Sequence, residues 1–164
     1  MFTFYHLSDT VHAVGAVLTP RGYPRVTGAA IEERLERFRP PDCLARNKAV
    51  YLSPSPEFKG YGLTRGYIYT VLAADPEFHD TAWLTSMQKN AFLDKHGDLM
   101  TKRWGYASEQ QLDDDCLRYW SGIAALESSM EALVREATII DVSADLMDVR
   151  SMESRFTSGS WDAG

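Results

Sequence analysis

The sequence predicts an α+β domain, and three observations carry that expectation. Short apolar runs with β-branched and aromatic members recur at residues 2–5, 49–52, 67–72 and 137–142, the composition of strands. Between them stand segments with helical spacing, beginning near Ile31, Thr81 and Ser108. Strands and helices do not alternate regularly, which argues against a doubly wound parallel sheet.

Each element has its own signal. Phe2 to Tyr5 reads as the first strand, with His6 at its exit. Leu18 to Arg25 carries two prolines and a glycine and reads as a loop. Ile31, Leu35 and Phe38 fall at i, i+4 and i+7, an amphipathic helix that Pro40-Pro41 stops. Ala49 to Leu52 is a strand closed by Ser53-Pro54-Ser55-Pro56. A glycine-rich loop, Lys59 to Gly66, leads into the Tyr67–Leu72 strand. Thr81 to His96 reads as a helix ended by Gly97. Ser108, with Gln111 three residues on, is a capping-box start for a second amphipathic helix. Its buried side is expected to carry Leu112, Cys116, Tyr119 or Trp120, and Ile123. Glu131–Val134 and Ala137–Val142 read as the last strands. The expected organisation is one domain over residues 1–145 and a polar, partly disordered tail over 146–164.

Composition narrows the function. The chain has 164 residues, 45% hydrophobic and 24% charged, enough to bury a core without staples. No apolar run reaches the ~20 residues a membrane helix needs, and the start lacks the marks of a signal peptide. A cytoplasmic setting without a membrane partner is expected, with Cys43 and Cys116 as reduced thiols. The formal charge of −6 argues against broad nucleic-acid binding. Arg21, Arg25, Arg46, Lys48, Lys59 and Arg65 fall in the first 65 residues, so an anion would bind that half. No metal-ligand spacing occurs. His12, His79 and His96 read as surface residues, and Asp113-Asp114-Asp115 as a solvated helix face. Trp83, Trp104 and Trp120 read as core anchors.

Two strand ends stand out, one with His6 and the other with Tyr51, a pairing suited to a flat, charged ring. In order along the chain come Tyr5-His6, then Arg46-Asn47-Lys48-Ala49-Val50-Tyr51-Leu52-Ser53, then Tyr67-Ile68-Tyr69-Thr70-Val71-Leu72-Ala73. Tyr119-Trp120-Ser121-Gly122 and Met130-Glu131-Ala132-Leu133-Val134 follow, the latter leading into Ala137–Val142. This order resembles the His-Tyr-Glu branch of the ADP-ribosyltransferase superfamily over roughly residues 2 to 142, in its small bacterial or phage form.

The resemblance implies two small mixed or antiparallel sheets with flanking helices and a cleft for NAD⁺, used as a substrate without a metal. It implies that His6 contacts ribose and carboxamide, that Tyr51 stacks on nicotinamide, and that Glu131 is the catalytic carboxylate. Leu7, Ser8 and Ser53 would line the ligand, and Arg46 would hold the pyrophosphate. Many members have glycine after the histidine, where Leu7 stands here. Glu127 and Glu136 compete with Glu131 for the third motif. The implied activity is cleavage of the nicotinamide–ribose bond and transfer of ADP-ribose to a protein or nucleic-acid acceptor. The alternatives are a catalytically degenerate, protein-binding relative and an NAD⁺-dependent RNA 2′-phosphotransferase. The latter needs several basic residues around the phosphate, and this acidic chain supplies few.

Overall fold

A computed structural model describes residues 1–22, 27–57, 65–87, 108–143 and 147–148. Its strands are β1 (Phe2–Ser8), β2 (Val17–Leu18), β3 (Val50–Leu52), β4 (Arg65–Ala73), β5 (Glu77–Asp80), β6 (Met130–Val134), β7 (Ala137–Val142) and β8 (Met147–Asp148). Helices are α1 (Ala29–Phe38), α2 (residues 81–87) and α3 (Glu109–Trp120), with a 3₁₀ turn at Arg46–Lys48. The domain is α+β, as the sequence predicts, and both its sheets are antiparallel.

The larger sheet runs β1-β4-β7-β2, with β8 also on β4, and the smaller runs β3-β6-β5. Tyr67 to Leu72 makes β4 the central strand, since its β-branched and aromatic residues suit a pleated, buried surface. It pairs with β1 along the whole of that strand, from Phe2↔Ala73 to Ser8↔Tyr67. Its register against β7 shifts between Thr70 and Val71, because Asp141 and Ile139 are the successive partners and Ile140 is passed over. The sheets meet where Tyr5 and Ser53 exchange backbone hydrogen bonds of 2.9 and 2.8 Å. One core fills the space between them. Phe4, Leu18, Tyr69, Val71, Ala137 and Ile139 meet Val50, Leu52, Ala132 and Val134 there.

The helices form a second layer. Ile31 and Leu35 of α1, with Phe38 at its border, pack on Leu84 and Met87 of α2 and on Cys116, Tyr119 and Trp120 of α3. The predicted stripe of α1 is therefore the buried one. Trp120 Nε1 donates to the Leu35 carbonyl at 2.8 Å, and Arg34 bridges to Glu109 and Asp113 on α3. Ser108 caps α3 by accepting from the Gln111 amide at 3.2 Å. Burial pushes the Cys116 thiol up to about 12, so it behaves as a core residue.

Several expectations are corrected. Ile123 lies beyond the end of α3, past Gly122 with φ 69°, and is 55% exposed. Asp115 turns away from solvent and accepts from Ser86 Oγ at 2.7 Å. β5 was not expected at all: Glu-Phe-His-Asp lacks an apolar alternation because three of its four side chains serve polar networks. Leu18, expected in a loop, pairs with Ala137. β8 lies past the expected end of the domain and pairs with Arg65 and Gly66. The expectations for Trp104, His96, Gly97, Lys59 and the remainder of the tail fall outside the described residues.

Candidate functional site

The site is built around a buried arginine. Arg46 leads from the 3₁₀ turn toward β3 and retains 1% of its surface. Its Nε and Nη2 donate side-on to the Glu32 carboxylate, at 2.9 and 3.3 Å. Its Nη1 donates to Glu131 Oε1 at 2.5 Å and to the Tyr119 hydroxyl. Tyr119 in turn donates to Glu131 Oε1 at 2.6 Å. The guanidinium carbon stands 5.0 Å from the Tyr51 ring and 5.1 Å from the Tyr119 ring. One guanidinium thus joins three elements, α1 and β6 through their buried carboxylates and α3 through the Tyr119 hydroxyl.

Electrostatics keeps these groups in their roles. Burial alone would lower the Arg46 pKa, but the charge of Glu131, the Tyr119 phenol and Glu32 outweigh it and raise it well above the ordinary value. Burial raises the Tyr119 pKa far up, reinforced by Glu131 and opposed by Arg46, so the phenol keeps its proton and stays a donor. The formal charge of the Arg46–Glu32–Glu131 cluster is negative by one. Such a site favours a positive group brought next to it, because charge–charge attraction strengthens where water is scarce. Arg46, which the resemblance assigns to the pyrophosphate, has its donors on the buried partners Glu32, Tyr119 and Glu131.

Tyr51 sits opposite Leu133 in the β3–β6 ladder, so its side chain shares a sheet face with Leu133 and Glu131. Its hydroxyl donates to the Arg46 carbonyl at 2.5 Å. His6, on β1, donates from Nδ1 to the Tyr51 carbonyl at 3.1 Å, which leaves Nε2 as the acceptor nitrogen. Burial lowers the His6 pKa, opposed by that carbonyl and helped by His12 and Arg21, so the ring is neutral at pH 7. Ser53 is buried, joins Tyr5 through its backbone, and donates from Oγ to the Ser55 carbonyl at 2.6 Å. Leu7 and Ser8 finish β1, where Gly66 passes so near that a Cβ there would lie 2.9 Å from Leu7 Cδ1 and 3.0 Å from the Ser8 carbonyl.

His6, Tyr51 and Glu131, far apart in sequence, therefore stand around one junction. His6 touches the backbone of Tyr51, and Tyr51 and Glu131 share the Arg46 guanidinium. Of the three glutamates weighed, Glu127 and Glu136 are exposed and Glu131 is 4% exposed.

Sequence reasoning missed Glu32, Tyr119 and His79 as members of this region. Glu32 borders the apolar stripe of α1 between Ile31 and Leu35, the one signal that marked it. His79, expected at the surface, is 3% exposed and faces Glu131 across the β5–β6 ladder. Its Nδ1 donates to the Tyr119 carbonyl at 3.0 Å and its ring stacks on Tyr119 at 4.7 Å. Its Nε2 is buried without a hydrogen-bond partner, with Glu77 Oε2 at 3.9 Å. Burial lowers the His79 pKa, against the Tyr119 carbonyl and Glu131. Asp80 organises the neighbouring turn: its carboxylate accepts from the amides of Ala82, Ala125 and Ser129 at 2.9, 2.8 and 3.0 Å.

Among the described residues, no group of three or more His, Cys, Asp or Glu side chains is arranged to hold a metal ion, and no helix is long and apolar enough to cross a membrane. Comparison with protein families, curated proteins and solved structures gives no match to this chain.

Proposed function

We propose that the chain is an NAD⁺-dependent ADP-ribosyltransferase whose site lies at the junction of the two sheets. The observation that supports this reading is the convergence there of His6, Tyr51 and Glu131 from three strands of two sheets. The sequence resemblance gives the same three residues their roles. The excess negative charge of the Arg46–Glu32–Glu131 cluster adds chemical support.

The reaction would use these groups in the following way. Nicotinamide in NAD⁺ is a flat cation. Tyr51 already holds a flat cation, Arg46, against its ring, an interaction worth about 0.5–2 kcal/mol. The neutral His6 ring offers Nε2 to a ribose hydroxyl. As the bond between nicotinamide and the ribose carbon breaks, its electron pair leaves with nicotinamide and positive charge grows on the ribose. The Glu131 carboxylate, held at Oε1 by Arg46 and Tyr119, would accept a hydrogen bond from the 2′-hydroxyl and stabilise that charge. An acceptor nucleophile then adds to the ribose carbon and loses a proton. A protein side chain, a nucleic-acid group or water can play that part.

A second reading is a degenerate relative that binds a partner protein and turns nothing over. The near-complete burial of Glu131, with both of its hydrogen bonds tying the fold together, favours it. Nicotinamide release from NAD⁺, followed by chromatography, separates the two. The enzyme reading expects slow release by the wild type and its loss in Glu131→Gln. Equal release by both proteins would remove Glu131 from the chemistry.

A further inference from the structure

His79 is 3% exposed, yet its Nε2 has no hydrogen-bond partner among the described residues. Leaving a buried acceptor unpaired is costly, and such a group calls for a physical reason. The other ring nitrogen is committed: Nδ1 donates to the Tyr119 carbonyl at 3.0 Å, which makes Nε2 the bare one. Glu77 Oε2 stands 3.9 Å from Nε2, so two acceptors face each other with no proton between them. Glu77 is tethered, because its carboxylate accepts the Leu44 amide at both oxygens, at 3.0 and 2.8 Å. Its side chain is also 32% exposed, which gives a proton from solvent a way in to Nε2.

A proton on Nε2 turns this contact into a charge-assisted pair. With Glu77 tethered, the imidazole has to move about 1 Å to reach hydrogen-bond length. That ring lies on Tyr119, 4.7 Å between centroids and 21° between planes, and meets Trp120 edge-on at 5.1 Å. Tyr119 carries the hydroxyl that donates to Glu131 Oε1 at 2.6 Å and accepts from Arg46 Nη1. Glu131 is also the residue opposite His79 in the β5–β6 ladder. A shift of the imidazole therefore reaches the carboxylate by two routes, through the Tyr119 ring and across the ladder. The groups facing His79 set where it takes the proton. Burial opposes the charged form most and Arg46, in the 3₁₀ turn, adds to it, while the Tyr119 carbonyl on α3, Glu131 on β6 and Glu77 on β5 favour it. The balance lies below the ordinary histidine value, so the ring is neutral at pH 7.

We propose that His79 is a positioning residue for Glu131: neutral, it holds the Tyr119 hydroxyl on Oε1, and protonated, it turns to Glu77 and loosens that hold. The chemistry so controlled rests on the function proposed above; the coupling of His79 to Tyr119 and Glu131 does not. The site is set in its working form above the His79 titration and slackened below it.

The test is an NMR titration from about pH 7.5 to about pH 5, the range in which histidines change charge. Its reporters are the imidazole nitrogens, the Tyr119 ring and the Arg46 Nε–H, with circular dichroism to follow folding. The proteins are the wild type, Glu77→Gln and His79→Asn. In the wild type the Tyr119 and Arg46 signals are expected to shift with the His79 midpoint. Glu77→Gln removes a carboxylate that favours the proton and should carry all three signals to a lower midpoint together. His79→Asn should leave the Tyr119 and Arg46 signals flat. A histidine that only filled space would change stability without tying these midpoints together. Tyr119 and Arg46 signals that ignore His79 protonation in the wild type, or still titrate in His79→Asn, would overturn the proposal. So would a His79 that stays neutral until the chain unfolds. Nicotinamide release from NAD⁺ is followed over the same pH range. Coupled signals with no release at any pH uphold the positioning role and remove the NAD⁺ reading. Release with one pH profile in wild type and His79→Asn upholds that reading and removes the positioning role.

Discussion

Replacing Arg46 with methionine tests the architecture of the site at its centre. The change keeps most of the side chain's volume and removes the charge, leaving Glu32 and Glu131 buried and facing one another without a cation. Breaking a buried pair by removing one partner costs about 3–5 kcal/mol, because the remaining charge is desolvated and uncompensated. For a domain of this size each kcal/mol moves the melting temperature by about 2–4 °C, so Arg46→Met should melt roughly 10 °C below the wild type. Urea denaturation should show the same loss as a lower midpoint with little change in slope. The triple variant Arg46→Met, Glu32→Gln, Glu131→Gln removes the unpaired charges and should recover most of the stability. A loss in Arg46→Met below about 1 kcal/mol, the range of exposed pairs, would refute the reasoning. So would a triple variant no more stable than the single one.

Other expectations follow from individual residues. Gly66→Ala places a Cβ against Leu7 and the Ser8 backbone and should cost about 1–3 kcal/mol in urea denaturation, with amide shifts centred on Leu7 and Ser8. Burial would raise the Asp80 pKa, but three backbone amides and Ser128 outweigh it and lower it. Its stability contribution is therefore present above about pH 4 and lost as pH falls through the lowered value, so the wild type should lose stability there and Asp80→Asn less steeply. His79 is held neutral by burial, so the folded state binds fewer protons than the unfolded one, and stability should fall as pH drops below about 6.5. His79→Asn, which keeps a donor for the Tyr119 carbonyl, should flatten that slope in denaturation at a series of pH values.

The fold was legible where local chemistry and burial agree. Tyr67 to Leu72 has the residue types of a central strand and becomes one, and Ser108 with Gln111 marks the start of α3 to the residue. Ile31, Leu35 and Phe38 report the buried side of α1 because a helix repeats every 3.6 residues. β5 was illegible for the opposite reason. Glu77, His79 and Asp80 hold a backbone amide, a carbonyl and a turn, so the strand carries polar side chains where a pattern reading expects apolar ones. The site divides in the same way. His6 and Tyr51 were noticed as strand ends, and that reading is corrected: His6 pairs with Tyr69 inside β1, and Tyr51 is the middle residue of β3. Arg46 was noticed but its burial was not, because its partners lie 14, 73 and 85 residues away in sequence and only the folded chain brings them together. An arginine in a sequence is read as exposed; the matching carboxylates of Glu32 and Glu131 are what permit its burial.

The most direct measurement is a time course of nicotinamide release from NAD⁺ by the wild type beside Glu131→Gln, with the folded state of both checked by circular dichroism. The account predicts slow release by the wild type and none above the uncatalysed rate in the variant. Wild-type release no faster than buffer, from a protein that is folded, would contradict it.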